Sequence, residues 1–322
     1  MKKSIIKIFL LLLSCLMLFS ALPVFAGGNS VYAEFYIDPV NGNDAFSGTK
    51  DAPFKTVKRA TEAVSKIYTQ MNGDVYVWFN DGTYELEETV KFEQRTGGKD
   101  DYKVYYKALA GAKPVISGGK KIEGWELYDE ENNIYKAPTD GVYSRHFTVD
   151  GVLATRARSE YAGKDKSGLI DELSDYGKVG IECGNIEMLN WRNKSDLELV
   201  FICNFKCNRI MATDIVKVDD ETVKIILEDK HWQADVPIGT LKWAPVSYVE
   251  NALELIDKEG EFYIDRTEGY VYYKPLEGQD IENAECRIPV LEELFKVGGY
   301  YLFPVQQSFL FQRFYQLASY WY

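Results

Sequence analysis

The sequence predicts a mainly β protein, and three observations carry that prediction. Short runs of alternating apolar and polar residues recur along the chain, as in Val75-Tyr-Val-Trp-Phe-Asn80, where Val75, Val77 and Phe79 share one face and Tyr76 and Trp78 the other. Turn residues punctuate these runs at Asn41-Gly-Asn-Asp44, Asp81-Gly82, Asp150-Gly151 and Thr267-Glu-Gly269. Such residues tolerate left-handed backbone or bond to their own main chain. Ahead of residue 120, helical periodicity is confined to one segment, with Val57, Ala60, Val64 and Ile67 at spacings of three, four and three.

Taken in order, Met1 to Ala33 reads as an export signal. Lys2, Lys3 and Lys7 precede the apolar run Ile8 to Phe19, and two small-residue cleavage sites follow, Val24-Phe-Ala26 and Val31-Tyr-Ala33. The apolar run is shorter than the ~20 residues of a membrane span, so a cleaved, secreted chain with no integral membrane segment is expected. Leu12-Leu-Ser-Cys15 also resembles a lipobox, the minority reading. Glu34 to Asp38 is a strand ended by Pro39, and Asp51 is read as the cap of the helix, with Pro53 in its first turn. Strands are expected at Val75 to Asn80, Thr83 to Phe92, Tyr102 to Ala108 and Pro114 to Ser117.

From Lys120 the texture changes to hairpins. Gly124 to Tyr128, Ile134 to Ala137 and Phe147 to Arg156 are expected to pair antiparallel across Asp-Gly and Asn-rich turns. Leu197 to Asn204, Ile215 to Val218, Val223 to Glu228 and the hairpin Glu261 to Lys274 continue the pattern, with Asp219-Asp220 as a turn. Residues 120–290 are therefore read as one β-rich module.

Composition narrows the function. The net charge is −12, and removal of the leader, with three lysines and no acid, makes it −15. So acidic a chain repels nucleic acid and anionic lipid, whereas a neutral polysaccharide is a compatible partner. Cys183, Cys203, Cys207 and Cys286 are expected as buried thiols, with one disulfide as the alternative; Cys203-Asn-Phe-Lys-Cys207 has no second Cys/His pair to complete a metal site. No cofactor is expected. Asn41 to Asp44 and Asp219-Asp220 carry carboxylates of the kind that hold calcium, but turn formation accounts for both.

Periodicity alone leaves a β-sandwich open; the parallel arrangement comes from a resemblance. Phe35 to Asp44, Ala52 to Ala60, Val75 to Leu86 and Lys113 to Gly119 resemble the N-terminus of secreted right-handed parallel β-helix proteins that work on polysaccharides. Phe147 to Ser159, Val249 to Ile256, Gly260 to Arg266 and Val271 to Pro275 resemble the insertion domain of glycoside hydrolase family 141. The resemblance covers roughly Phe35 to Val297. It implies a right-handed parallel β-helix of the pectin-lyase type that starts at residues 34–119, with the helix Val57 to Ile67 capping its open end, and an inserted antiparallel β-domain at 120–290. It implies activity on plant-type or fucosylated polysaccharide, with catalytic carboxylates in coils that follow the insertion and so are expected beyond the C-terminus.

Residues 291–322 are read as a truncated or aberrant return to the β-helix. Gly298 to Tyr322 holds no acid, a single basic residue, Arg313, and ten aromatics among 25 residues. An out-of-frame end to a longer gene is the favoured reading, and a sugar-stacking platform the alternative. Candidate substrate-binding residues are Arg156 and Arg158, which strand spacing places on one face, together with Trp191, His231 and Trp232. Structural ion pairs compete with the first two and interdomain packing with the others. Glu250, Glu254 and Asp257 are read as solvated charge. Three functions remain on this footing: a hydrolase-family protein whose catalytic part lies elsewhere, a non-catalytic carbohydrate-binding or cell-surface protein, and a polysaccharide lyase.

Overall fold

The computed structural model describes residues 30–159, 180–203, 206–228, 246–298, 309–312 and 315–317. His231, Trp232 and nearly all of the predicted leader lie outside them. The described chain is mainly β and divides into two compact units.

The first unit comprises the described residues up to Asp81, Phe92–Ala112 and the strand Phe309–Gln312. Its sheet has four parallel strands in the order Val31–Ile37, Asp74–Phe79, Val104–Ala108, Phe309–Gln312. Register aligns Phe35, Val77 and Tyr106 across three strands, and Tyr36, Trp78 and Lys107 beside them. The alternation then sorts the faces. Ile37, Val75, Val77, Phe79, Val104 and Tyr106 are buried, each worth roughly 1.5–3 kcal/mol relative to an exposed side chain. Glu34, Tyr36, Tyr76, Trp78, Tyr105 and Lys107 take the other face.

The helix of this unit spans Val57–Ile67 and buries Val57, Ala60, Ala63 and Val64. Its cap corrects the sequence reading: Thr56, not Asp51, accepts from Arg59 N, at 3.1 Å. Asp44 explains the choice. Its carboxylate accepts from Lys55 N at 2.8 Å, Thr56 N at 2.9 Å and the Thr56 hydroxyl at 2.8 Å, fixing Thr56 at the helix start. Asp38 likewise accepts from Val40 N and Asn41 N. Of the carboxylates considered for calcium, Asp44 is thus engaged by N–H and O–H donors, Asp219 accepts from Glu221 N at 2.9 Å and Asp220 pairs with Lys217 at 2.6 Å. Gly48 sits at φ +79°, where a Cβ would lie 2.3 Å from the Phe54 ring, so this turn closes directly on a buried aromatic.

The second unit comprises Gly82–Lys91, Lys113–Val297 and the strand Tyr315–Leu317, as far as they are described. It contains a parallel ladder of Gly82–Glu85, Pro114–Ser117 and Tyr315–Leu317. Its other sheets are largely antiparallel. One runs Val152–Leu153, Thr148–Val149, Cys286–Pro289, Gly119–Ile122, and its first hairpin turns on Asp150 and Gly151, both at positive φ (52° and 75°). A second runs Thr155–Arg156, Glu261–Asp265, Tyr270–Tyr273, Ile134–Pro138, Glu126–Asp129, and its first pair is parallel, against the expectation of hairpins throughout. The third runs Gly180–Cys183, Val223–Leu227, Lys206–Lys217, Glu198–Cys203, Tyr248–Glu250. Lys206–Lys217 is a single long strand where the sequence pointed only to Ile215 to Val218, because its alternation is interrupted by a register shift between Ala212 and Asp214.

Cys183 and Cys286 are buried free thiols, and burial pushes the Cys286 thiol up to about 12. Cys207 is free but exposed, which corrects the expectation for that residue.

Candidate functional site

Two constellations are candidates, one in each unit. That of the second unit grows from a register pairing. The antiparallel strands Glu198–Cys203 and Tyr248–Glu250 set Glu198 directly opposite Glu250, and like charges facing across a ladder repel. Both residues are buried, with 0% and 3% of their surface exposed. A buried, uncompensated pair of carboxylates would be prohibitive, and Arg156 resolves it. Its Nη1 donates to Glu250 Oε1 and its Nη2 to Glu198 Oε1, each at 2.8 Å, while Nη2 also reaches the Tyr143 hydroxyl at 2.7 Å. Arg145 Nε donates to the second oxygen of Glu198 at 3.0 Å, and Arg209 Nε to Glu250 Oε1 at 2.8 Å.

The electrostatic result is lopsided. Burial raises the Glu198 pKa, but the hydrogen bond and charge of Arg156, with Arg145 behind it, overcome that and hold it at about 2. His146 is pushed below its ordinary value by burial and then by Arg209, Arg156 and Arg145, so it is neutral at pH 7. A glutamate held this far down stays ionised and cannot serve as a general acid near neutrality.

Arg156 is the centre of this group, with its terminal nitrogens committed to ion pairs, the structural alternative that competed with substrate binding in the sequence. Arg158 is exposed, its guanidinium 5.3 Å above the Tyr248 ring. The two do not act as one pair because the chain changes partner between them. Thr155–Arg156 pairs with Glu261–Phe262, whereas Arg158 bridges to Glu250. Glu250, read as solvated, is a buried ion-pair member, while Glu254 is exposed and accepts from Arg192 N at 2.7 Å. Trp191 ends the short helical turn Ile186–Asn190 and packs, partly buried, against the core of the third sheet.

The constellation of the first unit lies on the outer face of its parallel sheet. Register sets Glu34, Tyr76 and Tyr105 side by side, and Tyr36, Trp78 and Lys107 beside them. The ring of Tyr76 is nearly parallel to those of Trp78 (centroids 5.4 Å apart, 9° between planes) and Tyr105 (4.8 Å, 12°). Each ring keeps part of its surface in solvent. Polar handles border them: Trp78 Nε1 donates to Glu34 Oε1 at 2.9 Å, and Lys107 Nζ lies 5.5 Å from the Trp78 ring and 5.9 Å from that of Tyr76. Among the described residues no carboxylate pairs with Lys107. Burial, then the neighbouring phenol and carboxylates, push the Tyr76 pKa up, so its hydroxyl stays a donor. A pyranose offers the complement of such a surface, with C–H faces for the rings and hydroxyls for the rim. The sequence had placed Tyr76 and Trp78 opposite the core face; what it lacked was the register that brings Tyr105 alongside.

No known family profile matches the chain, and no curated protein does. Among solved structures it is similar to one described as "Glycoside hydrolase", with a TM-score of 0.74 and 22% identity over 88% of this chain and 50% of that one. The fold is therefore glycoside hydrolase-like, and the chain spans about half the length of the structure it matches. A second structure, "The complex structure of XylC with xylose", overlaps at a TM-score of only 0.35 and 14% identity over 81% of this chain and 32% of that one.

Proposed function

We propose that this is an exported carbohydrate-active protein that holds a neutral saccharide on the aromatic face formed by Tyr76, Trp78 and Tyr105. The observation that carries this reading is the run of near-parallel, half-buried rings with polar handles, on a fold like that of a glycoside hydrolase. Right-handed parallel β-helix coils at 34–119, with an inserted domain at 120–290, belong to the same proposal. The two parallel ladders support it, because successive segments each add one strand to each ladder. Export fits best with cleavage after Ala26, since cleavage after Ala33 would remove Val31 to Ala33 from the first strand.

Glycosidic hydrolysis of plant-type or fucosylated polysaccharide is the activity proposed for the whole protein. It needs two carboxylates flanking the scissile bond, and Glu198 and Glu250 are both engaged in ion pairs within the protein. Binding is what the aromatic face supports directly. The test is a polysaccharide panel of xylan, a fucosylated glycan and cellulose, with retention measured on immobilised ligand for the protein and for Tyr105→Ala. Retention of a neutral glycan that falls about tenfold or more in the variant upholds the reading. Failure to retain any of them, or equal retention by both proteins, overturns it.

A further inference from the structure

The positive charge gathered around Glu198 and Glu250 exceeds, among the described residues, what these two buried glutamates require. Four guanidiniums, those of Arg145, Arg156, Arg158 and Arg209, surround two carboxylates, Glu198 and Glu250, in a chain whose net charge is −12. Among the described residues this cluster carries two more positive than negative charges, and part of it lies on one sheet face. Arg209, Val200 and Tyr248 are neighbours across three strands, and Arg158 lies over Tyr248. Donors remain to be filled. Arg145 and Arg209 each spend Nε on a glutamate and stay partly exposed, with Arg209 Nη1 also 3.4 Å from Cys207 Sγ, the Arg158 guanidinium makes only its ring contact among the described residues, and Arg156 Nε is buried without an acceptor among them. Unpaired guanidinium forks in a partly desolvated site favour a planar oxyanion with two acceptors.

We propose that this arginine face, built by Arg145, Arg158 and Arg209 around the buried Glu198–Arg156–Glu250 group, is an anion-binding site that receives the carboxylate of an acidic sugar. Arg156 is the positioning residue: by tying both glutamates down it leaves the outer arginines incompletely neutralised. Arg158 and Arg145 contact the ligand. The oxyanion assignment stands on the arginines alone, whereas the saccharide that carries it rests on the function proposed above.

The experiment is a calorimetric titration of the full chain with an oligogalacturonide, with its fully methyl-esterified form and with sodium sulfate at matched ionic strength. It is repeated on Arg158→Gln and Arg145→Gln, with far-UV circular dichroism to verify folding. The acid form is expected to bind at least about tenfold more tightly than the ester, and each variant to lose about tenfold of that affinity without change in the ester's. Arg158→Gln removes an exposed side chain and so keeps the test open should Arg145→Gln unfold. Equal affinity for acid and ester, wild-type affinity in folded Arg158→Gln, or binding of sulfate but not of the oligogalacturonide would overturn the proposal. Failure of the aromatic-face reading looks different: neutral glycans would bind Trp78→Ala as well as wild type, whatever the acid form does.

Discussion

The aromatic face of the first unit and the ion cluster of the second solve opposite problems. In the first, side chains that would be harmless in water are held together by register, and their rims stay partly unengaged. In the second, register forces together two carboxylates that could not stand alone, and most of their hydrogen-bonding capacity is consumed inside the protein. Half-exposed groups with spare valence are available to a ligand, while the buried pairs of Glu198 and Glu250 with Arg156 hold the fold. The difference separates a surface whose rings make few demands on the fold from a group whose loss the fold should feel directly.

The largest effect is expected at Arg156. Replacing it with Met leaves Glu198 and Glu250 facing each other without their common partner and should cost about 3–5 kcal/mol, read from the midpoint of denaturant unfolding. The next is the pH dependence of the same group. The Glu198 pKa is lowered from 4.5 to about 2, so its stabilisation is fully present above pH 4.5 and is lost as the pH falls from 4.5 toward 2. The amount at stake is roughly 3 kcal/mol, and Glu198→Gln should flatten that part of the stability–pH curve. Gly48→Ala, at φ +79° and against the Phe54 ring, should cost about 2 kcal/mol in thermal or denaturant unfolding. Val77→Ala opens a cavity on the core face of the parallel sheet for a similar cost of roughly 2 kcal/mol, and saccharide affinity should be unchanged. Trp78→Ala, one residue along on the opposite face, should lose only about 1 kcal/mol of ring contact. The adjacent pair thus sharpens the contrast between the two faces of one strand.

Local features were legible in the sequence where they depend on neighbours in the chain. The Asp150-Gly151 turn, the helix stripe from Val57 to Val64 and the two faces of Val75 to Asn80 all follow from spacings of a few residues. What escaped depends on distant partners. Glu250 reads as solvated because nothing nearby announces Glu198, 52 positions earlier, or Arg156, 94 positions earlier. Asp51 reads as the helix cap because the Asp44 carboxylate that fixes Thr56 is 12 residues upstream. The Arg156–Arg158 pair was found as a pair, and its division of labour was hidden by the change of partner strand at Ala157. Tyr105 was seen as part of a strand, and only the parallel register turns it into a third ring beside Tyr76 and Trp78.

The most direct test of the account is a calorimetric titration of the best-retained neutral oligosaccharide into the protein and into Trp78→Ala and Val77→Ala side by side. Trp78→Ala is expected to lose about tenfold or more in affinity while Val77→Ala, though less stable, binds as the parent does. Undiminished binding by Trp78→Ala, or a loss that follows stability and appears equally in Val77→Ala, would contradict it.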